Sequence, residues 1–165
     1  CTLTGSMDDA WAAISPGWKL VDPEQASHDS ILLEGDIETG LSALVALRGP
    51  RNGRVESEAF ANQSKLFERA LASLSSGSIF AAMSANGMAV AAATGDDEAL
   101  RICNSAIARG AISAGVTGSG PAIAIICYEQ HADSLVEFVR ESGMEVIAAT
   151  FTQSRIQSEE ASQWE

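Results

Sequence analysis

The chain has 165 residues, 46% of them hydrophobic and 19% charged, a balance that supports one sizeable buried core and excludes a disordered or low-complexity protein. A formal net charge of −12, from 22 acids against 10 basic residues, opposes nucleic-acid binding. The nearest approach to a basic patch is Arg48, Arg51 and Arg54, a loop cluster that reads as solvated surface.

In chain order, Thr4-Gly5-Ser6-Met7-Asp8-Asp9-Ala10-Trp11 opens a short helix that ends at Ser15-Pro16-Gly17. Ser6 with Asp9 three residues on resembles a capping box, and acids in a first turn complement the helix dipole. Asp8 is not needed for that cap and is the residue with a candidate chemical role. Trp18 to Val21 and Ser30 to Leu33 read as strands joined by a turn-rich segment. Gly40 to Arg48 predicts a third strand, and Glu56 to Leu74 an amphipathic helix with Phe60, Phe67, Leu71 and Leu74 on one stripe.

The run Gly77 to Gly95 carries no charge and is long enough to raise the membrane question. It is built largely of Ala, Ser, Gly, Asn and Thr, which pack closely inside a protein but transfer poorly into lipid. A buried helix over Ser78 to Thr94, broken near Asn86-Gly87, is the expectation, with no membrane association. Asp96 caps a further helix with Ala99, Cys103, Ala106 and Ile107 inward, and Gly110 stops it. A helix over Ala132 to Glu141, with Leu135 and Val139 inward, precedes a last apolar strand from Glu145 to Phe151. The polar tail Gln153 to Glu165 reads as an edge strand at best.

Between Ala111-Ile112-Ser113-Ala114 and Ala122-Ile123-Ala124-Ile125-Ile126-Cys127 stands Gly115-Val116-Thr117-Gly118-Ser119-Gly120-Pro121. The run after it is β-branched and short, so it predicts a strand. A Rossmann or Walker glycine loop opens a helix, and a Walker loop also needs Gly-Lys-Ser/Thr. Two readings stand at this point: an anion-binding nest of backbone amides, or a tight hairpin without a ligand. His28 and His131 have no ligand-spaced partners, so no metal site is expected. Cys1, Cys103 and Cys127 are odd in number and widely spaced, which fits reduced thiols in a cytoplasmic protein.

Together these residues resemble the GHMP kinase superfamily, the small-molecule kinases typified by homoserine, mevalonate and galactose kinases. Thr117-Gly118-Ser119-Gly120-Pro121 is similar to the glycine-rich third motif of the C-terminal domain. Thr4-Gly5-Ser6-Met7-Asp8-Asp9-Ala10 resembles the segment bearing the catalytic aspartate, where many members have Asp-Asn-Ala. Asp-Asp-Ala followed by Gly17-Trp18-Lys19-Leu20-Val21-Asp22, with Asn86-Gly87, Gly95-Asp96 and Arg109-Gly110-Ala111, is similar to the archaeal-type shikimate kinase branch. The resemblance covers residues 1 to 152.

It implies an α+β fold, a ferredoxin-like α/β sandwich over 41–165, with 1–40 a remnant of the nucleotide-binding domain that carries the aspartate. It also implies ATP and Mg²⁺, and transfer of phosphate to shikimate in aromatic amino-acid biosynthesis, with Asp8 acting on the acceptor hydroxyl. Asp9, Arg48 and Asn86 become candidate acceptor contacts, and Gly115, Thr117, Gly118, Ser119 and Gly120 the phosphate-side loop. The family's Pro-x-x-x-Gly-Leu-Gly-Ser-Ser phosphate loop is not in this sequence, and residue 1 is Cys. The expectation is therefore a C-terminal portion of a larger enzyme, inactive alone, with most Mg²⁺ ligands elsewhere and apolar surface suited to a homodimer. Two alternatives accompany this reading: a GHMP kinase of other specificity, such as homoserine kinase, and a non-catalytic ferredoxin-like ligand-binding domain.

Overall fold

The computed structural model describes residues 8–22, 24–25, 27–50 and 57–151. The chain forms two compact units, one built on the residues up to Thr39 and the other spanning Gly40–Thr150.

In the first unit, α1 (Asp8–Ile14) leads through Gly17 into β1 (Trp18–Val21), which pairs antiparallel with β2 (Ile31–Gly35). A short chain cannot bury much here, so polar ties do part of the fastening. The Trp11 indole Nε1 donates to Oγ of the buried Ser30 at 3.0 Å, and Lys19 Nζ donates to the Ser15 and Pro16 carbonyls where α1 ends. A cation at those carbonyls also complements the C-terminal end of the helix dipole.

The second unit begins with β3 (Leu41–Leu47), followed by α2 (Ser57–Ala61), α3 (Ser64–Ser75), α4 (Ile79–Thr94) and α5 (Asp97–Ala108). Then come β4 (Ser113–Val116), β5 (Ile123–Tyr128), α6 (Glu129–Glu141) and β6 (Glu145–Thr150). The sheet order is β4-β5-β3-β6 with antiparallel neighbours throughout, so the first strand of the unit lies inside the sheet and the last at an edge. This is the ferredoxin-like α/β sandwich expected from the sequence. Its core joins Leu44, Ile123, Ile125 and Cys127 of the sheet to Ala99, Ile102, Cys103 and Ala106 of α5 and to Leu135 and Val139 of α6.

α4 does a different job, closing the free edge of β4. The Ala114 amide donates to Ser84 Oγ at 3.2 Å, and Ser84 and Ser113 share a hydrogen bond between their hydroxyls. An edge strand covered by a helix cannot recruit further strands. The approach is close because two glycines face each other: a Cβ on Gly87 would stand 2.5 Å from Gly115 Cα and 2.7 Å from the Val116 nitrogen.

Several expectations are corrected by the structure. The helix expected over Glu56 to Leu74 is two helices, α2 and α3, divided by a turn at Asn62-Gln63. This lets Phe60 and Phe67 stack at 6.1 Å between ring centroids while both pack on the core. Leu71 is exposed, and Ala70 takes the buried position. α4 runs unbroken through Asn86-Gly87, because the glycine is required by the close approach to β4 and does not end the helix. In α5 the inward residue is Ile102, not Ile107. The last apolar strand, expected over Glu145 to Phe151, is β6, and it is mostly exposed at the sheet edge. The tail after Phe151, Cys1 and the Arg51 and Arg54 cluster lie outside the described residues. No helix of the described residues is long and apolar enough to cross a membrane.

Candidate functional site

The glycine segment forms the turn between β4 and β5. The Thr117 amide donates to the Ala122 carbonyl and the Gly120 amide to the Thr117 carbonyl, both at 3.0 Å. Gly118 and Gly120 have φ of +57° and +81°, values that L side chains rarely adopt. The turn therefore needs glycine at both places for backbone reasons, before any ligand is considered. Thr117 and Gly118 are exposed, and Ser119, Gly120 and Pro121 are half-buried. Gly115, expected as part of this loop, lies instead inside β4 with its α-carbon facing Gly87.

Beside the turn is a charged cluster that joins three elements. Arg48, just past β3, places Nη1 2.5 Å from Asp96 Oδ2 and Nη2 3.0 Å from Asp96 Oδ1, a two-pronged pair. Nη2 also meets Glu98 Oε2 at 2.5 Å, and Nη1 makes a longer contact of 3.4 Å with the Pro121 carbonyl. Asp96 in turn caps α5 by accepting the Ala99 amide at 2.9 Å. The Arg48 side chain is only 10% exposed and that of Asp96 23%, whereas Glu98 is 62% exposed. The pair with Asp96 is thus the shielded half of the cluster and the contact with Glu98 the wet half, where screening by solvent leaves little net energy.

Electrostatics follow this arrangement. The Arg48 hydrogen bond holds the Asp96 carboxyl below the usual aspartate value, and partial burial opposes it. The same pairing raises Arg48. Burial pushes the Cys103 thiol up to about 11 and also raises Cys127, so both are packed groups rather than nucleophiles.

Of the residues singled out in the sequence, the structure brings Arg48 to the glycine turn through Pro121 and ties it to Asp96. It leaves Asn86 on the exposed side of α4. Asp8 and Asp9 open α1 in the first unit, and their side chains lie outside the described residues. Asp96 was legible as a helix cap, but its role as the partner of Arg48 was not, since no local spacing links the two. Among the described residues no group of three or more His, Cys, Asp or Glu side chains converges to hold a metal ion.

Comparison with known proteins bears on this arrangement. A shikimate kinase of Methanobrevibacter smithii is 29% identical over 136 residues, 82% of this chain and 46% of that protein. Among solved structures, a phosphotransferase related to the CoA biosynthesis pathway matches 74% of this chain and 42% of its own length, with 14% identity and a TM-score of 0.57. A homoserine kinase from Cytophaga hutchinsonii matches 88% and 51%, with 18% identity and a TM-score of 0.52. At those identities the solved structures speak to the fold alone. The chain spans about half the length of the proteins it matches. The family model for the C-terminal region of GHMP kinases matches residues 67–144, from within α3 through the glycine turn to the residue before β6. Over residues 67–144 the chain thus matches the C-terminal domain of GHMP kinases, and the antiparallel sheet with its turn between β4 and β5 is consistent with that match.

Proposed function

We propose that this chain belongs to an ATP-dependent small-molecule kinase that transfers the γ-phosphoryl group of ATP to a hydroxyl of shikimate. The observation that carries the reading is the similarity to a shikimate kinase along 82% of the chain, from the Asp8 segment's unit into the glycine turn's unit. The two proposed halves of the chemistry are distinct. Asp8 orients the acceptor hydroxyl or takes its proton as the oxygen bonds to the γ-phosphorus, and the bond to the bridging oxygen of ADP breaks. The glycine turn lies on the phosphate side, where backbone amides favour negative charge. Phosphoryl transfer asks little more of a protein than such positioning and charge stabilisation.

GHMP kinases use Mg²⁺, which neutralises phosphate oxygens when bound. The described residues offer no convergent ligand set for it. Asp9 and Asn86 are the proposed acceptor contacts. Arg48 already holds two carboxylates, and the exposed Glu98 is the partner an acceptor carboxylate would displace.

An ADP-release assay on the full-length protein with ATP, Mg²⁺ and, separately, shikimate, homoserine and mevalonate tests the reading. Turnover with shikimate alone is the expected result. Turnover with homoserine alone would remove the acceptor assignment and keep the kinase, and turnover with none would remove both.

A further inference from the structure

In the glycine turn the Thr117 and Gly120 amides donate to the Ala122 and Thr117 carbonyls, and Gly118 and Gly120 stand at positive φ. Among the described residues the Arg48 guanidinium reaches the turn at the Pro121 carbonyl, and that guanidinium is fixed from behind. Asp96 grips it through both carboxylate oxygens while holding the first turn of α5, which is packed into the core through Ala99, Ile102 and Cys103. The planar fork of arginine holds two carboxylate oxygens and a carbonyl in one fixed geometry, whereas the ammonium of lysine, a compact point charge, does not reproduce that two-pronged pair.

We propose that Arg48 is a positioning residue for the glycine turn: anchored to Asp96 at the start of α5, it holds the Pro121 carbonyl and so sets the shape of Thr117–Pro121. The part of this inference that concerns ATP rests on the kinase reading; the part that concerns the turn does not. The role differs from acceptor binding, because it draws on the buried prong toward Asp96 and on Pro121 rather than on the exposed prong toward Glu98.

The test has two arms, both on the full-length protein. In the first, amide hydrogen exchange is measured for Thr117 and Gly120, whose amides make the two turn hydrogen bonds, with Ile125 in the core strand β5 as the internal reference. Arg48→Lys and Asp96→Asn should each speed exchange at Thr117 and Gly120 about tenfold or more while Ile125 keeps its protection. Asn is itself a good helix cap, so the second variant removes the charge partner without undoing the start of α5. Glu98→Gln should leave the turn amides within about twofold of the unmodified chain. In the second arm, the KM for ATP should rise about tenfold in Arg48→Lys and Asp96→Asn, with the KM for the acceptor unchanged.

Unchanged turn exchange in both variants overturns the proposal whatever the kinetics show. Acceleration at Ile125 equal to that at the turn also overturns it, since the pair would then stabilise the whole unit and not the turn. An active enzyme whose acceptor KM rises while its ATP KM does not would return Arg48 to the acceptor. If the unmodified protein turns over no alcohol, the kinase reading fails by itself, and the exchange arm still decides whether Arg48 shapes the turn.

Discussion

Replacing Gly87 by Ala is the sharpest test of the packing between α4 and β4. In an isolated helix the change gains about 1 kcal/mol, because glycine is a poor helix former. Here the new Cβ would stand 2.5 Å from Gly115 Cα, 2.7 Å from the Val116 nitrogen and 2.8 Å from the Gly115 carbonyl carbon. Carbon atoms prefer separations of about 3.5–4.0 Å, so helix and strand must part by roughly 1 Å. Every one of those atoms is backbone, and β4 is held from its other side by β5, so no side chain can swing aside. Overpacking of this kind costs about 1–3 kcal/mol, and loss of the bond from the Ala114 amide to Ser84 adds about 1 kcal/mol. Set against the helix gain, the net expectation is a destabilisation of about 2 kcal/mol, or a fall in Tm of about 4–8 °C for a chain of this length. Urea unfolding followed by far-ultraviolet circular dichroism measures it. The neighbouring Asn86→Ala, on the exposed side of the same turn, should stabilise by about 0.5 kcal/mol. A Gly87→Ala protein as stable as the unmodified chain would refute the reasoning.

Asp8→Asn in the full-length protein should cut turnover by about 10²–10⁴ with ATP affinity unchanged, and steady-state kinetics with a binding titration separate the two effects. Gly118→Ala should destabilise by about 1–2 kcal/mol through backbone strain alone, since no atom lies within 4 Å of its added Cβ; Gly118→Asn should cost less, because Asn tolerates that conformation. Thermal melts compare the two, and equal costs would count against a purely conformational cause. The Asp96 carboxyl, lowered by Arg48, contributes stability that is fully present above the ordinary aspartate value near 4 and is lost as pH falls through its lower folded value. Denaturation midpoints between pH 6 and 2 should therefore fall less steeply for Asp96→Asn than for the unmodified chain, and identical slopes would show that the pair is not felt.

What could be read in the sequence was what local chemistry decides. The short β-branched run after Pro121 gave a strand, so the glycine segment had to be a turn between strands, and Asp96 announced the start of α5. What could not be read depends on partners distant in the chain. Gly87 looked like a helix breaker because its reason for being glycine is Gly115, which periodicity cannot reveal. Arg48 looked like a free cation because Asp96 and Glu98 reach it only after α5 has docked. Leu71 and Ile107 fitted a helical stripe but sit just beyond the reach of the core, whose width is set by neighbouring helices. The turn at Asn62-Gln63 interrupts a stripe that counting every third or fourth residue carries straight through.

The order of strands has a consequence for how the second unit is made. β3 is synthesised first, yet its partners arrive near the end: Leu41 pairs with Tyr128 and Ser42 with Thr150. The helices α3 and α4 and the hairpin of β4 and β5 close over short stretches and can organise early, but β3 must wait, apolar and unpaired, through the emergence of α2 to α5. The entropy of closing those long loops is spent before their pairing returns anything, which favours slow folding and a transient affinity for other extended chains. During synthesis, the segment Leu41–Leu47 is therefore where a chaperone would find its natural hold.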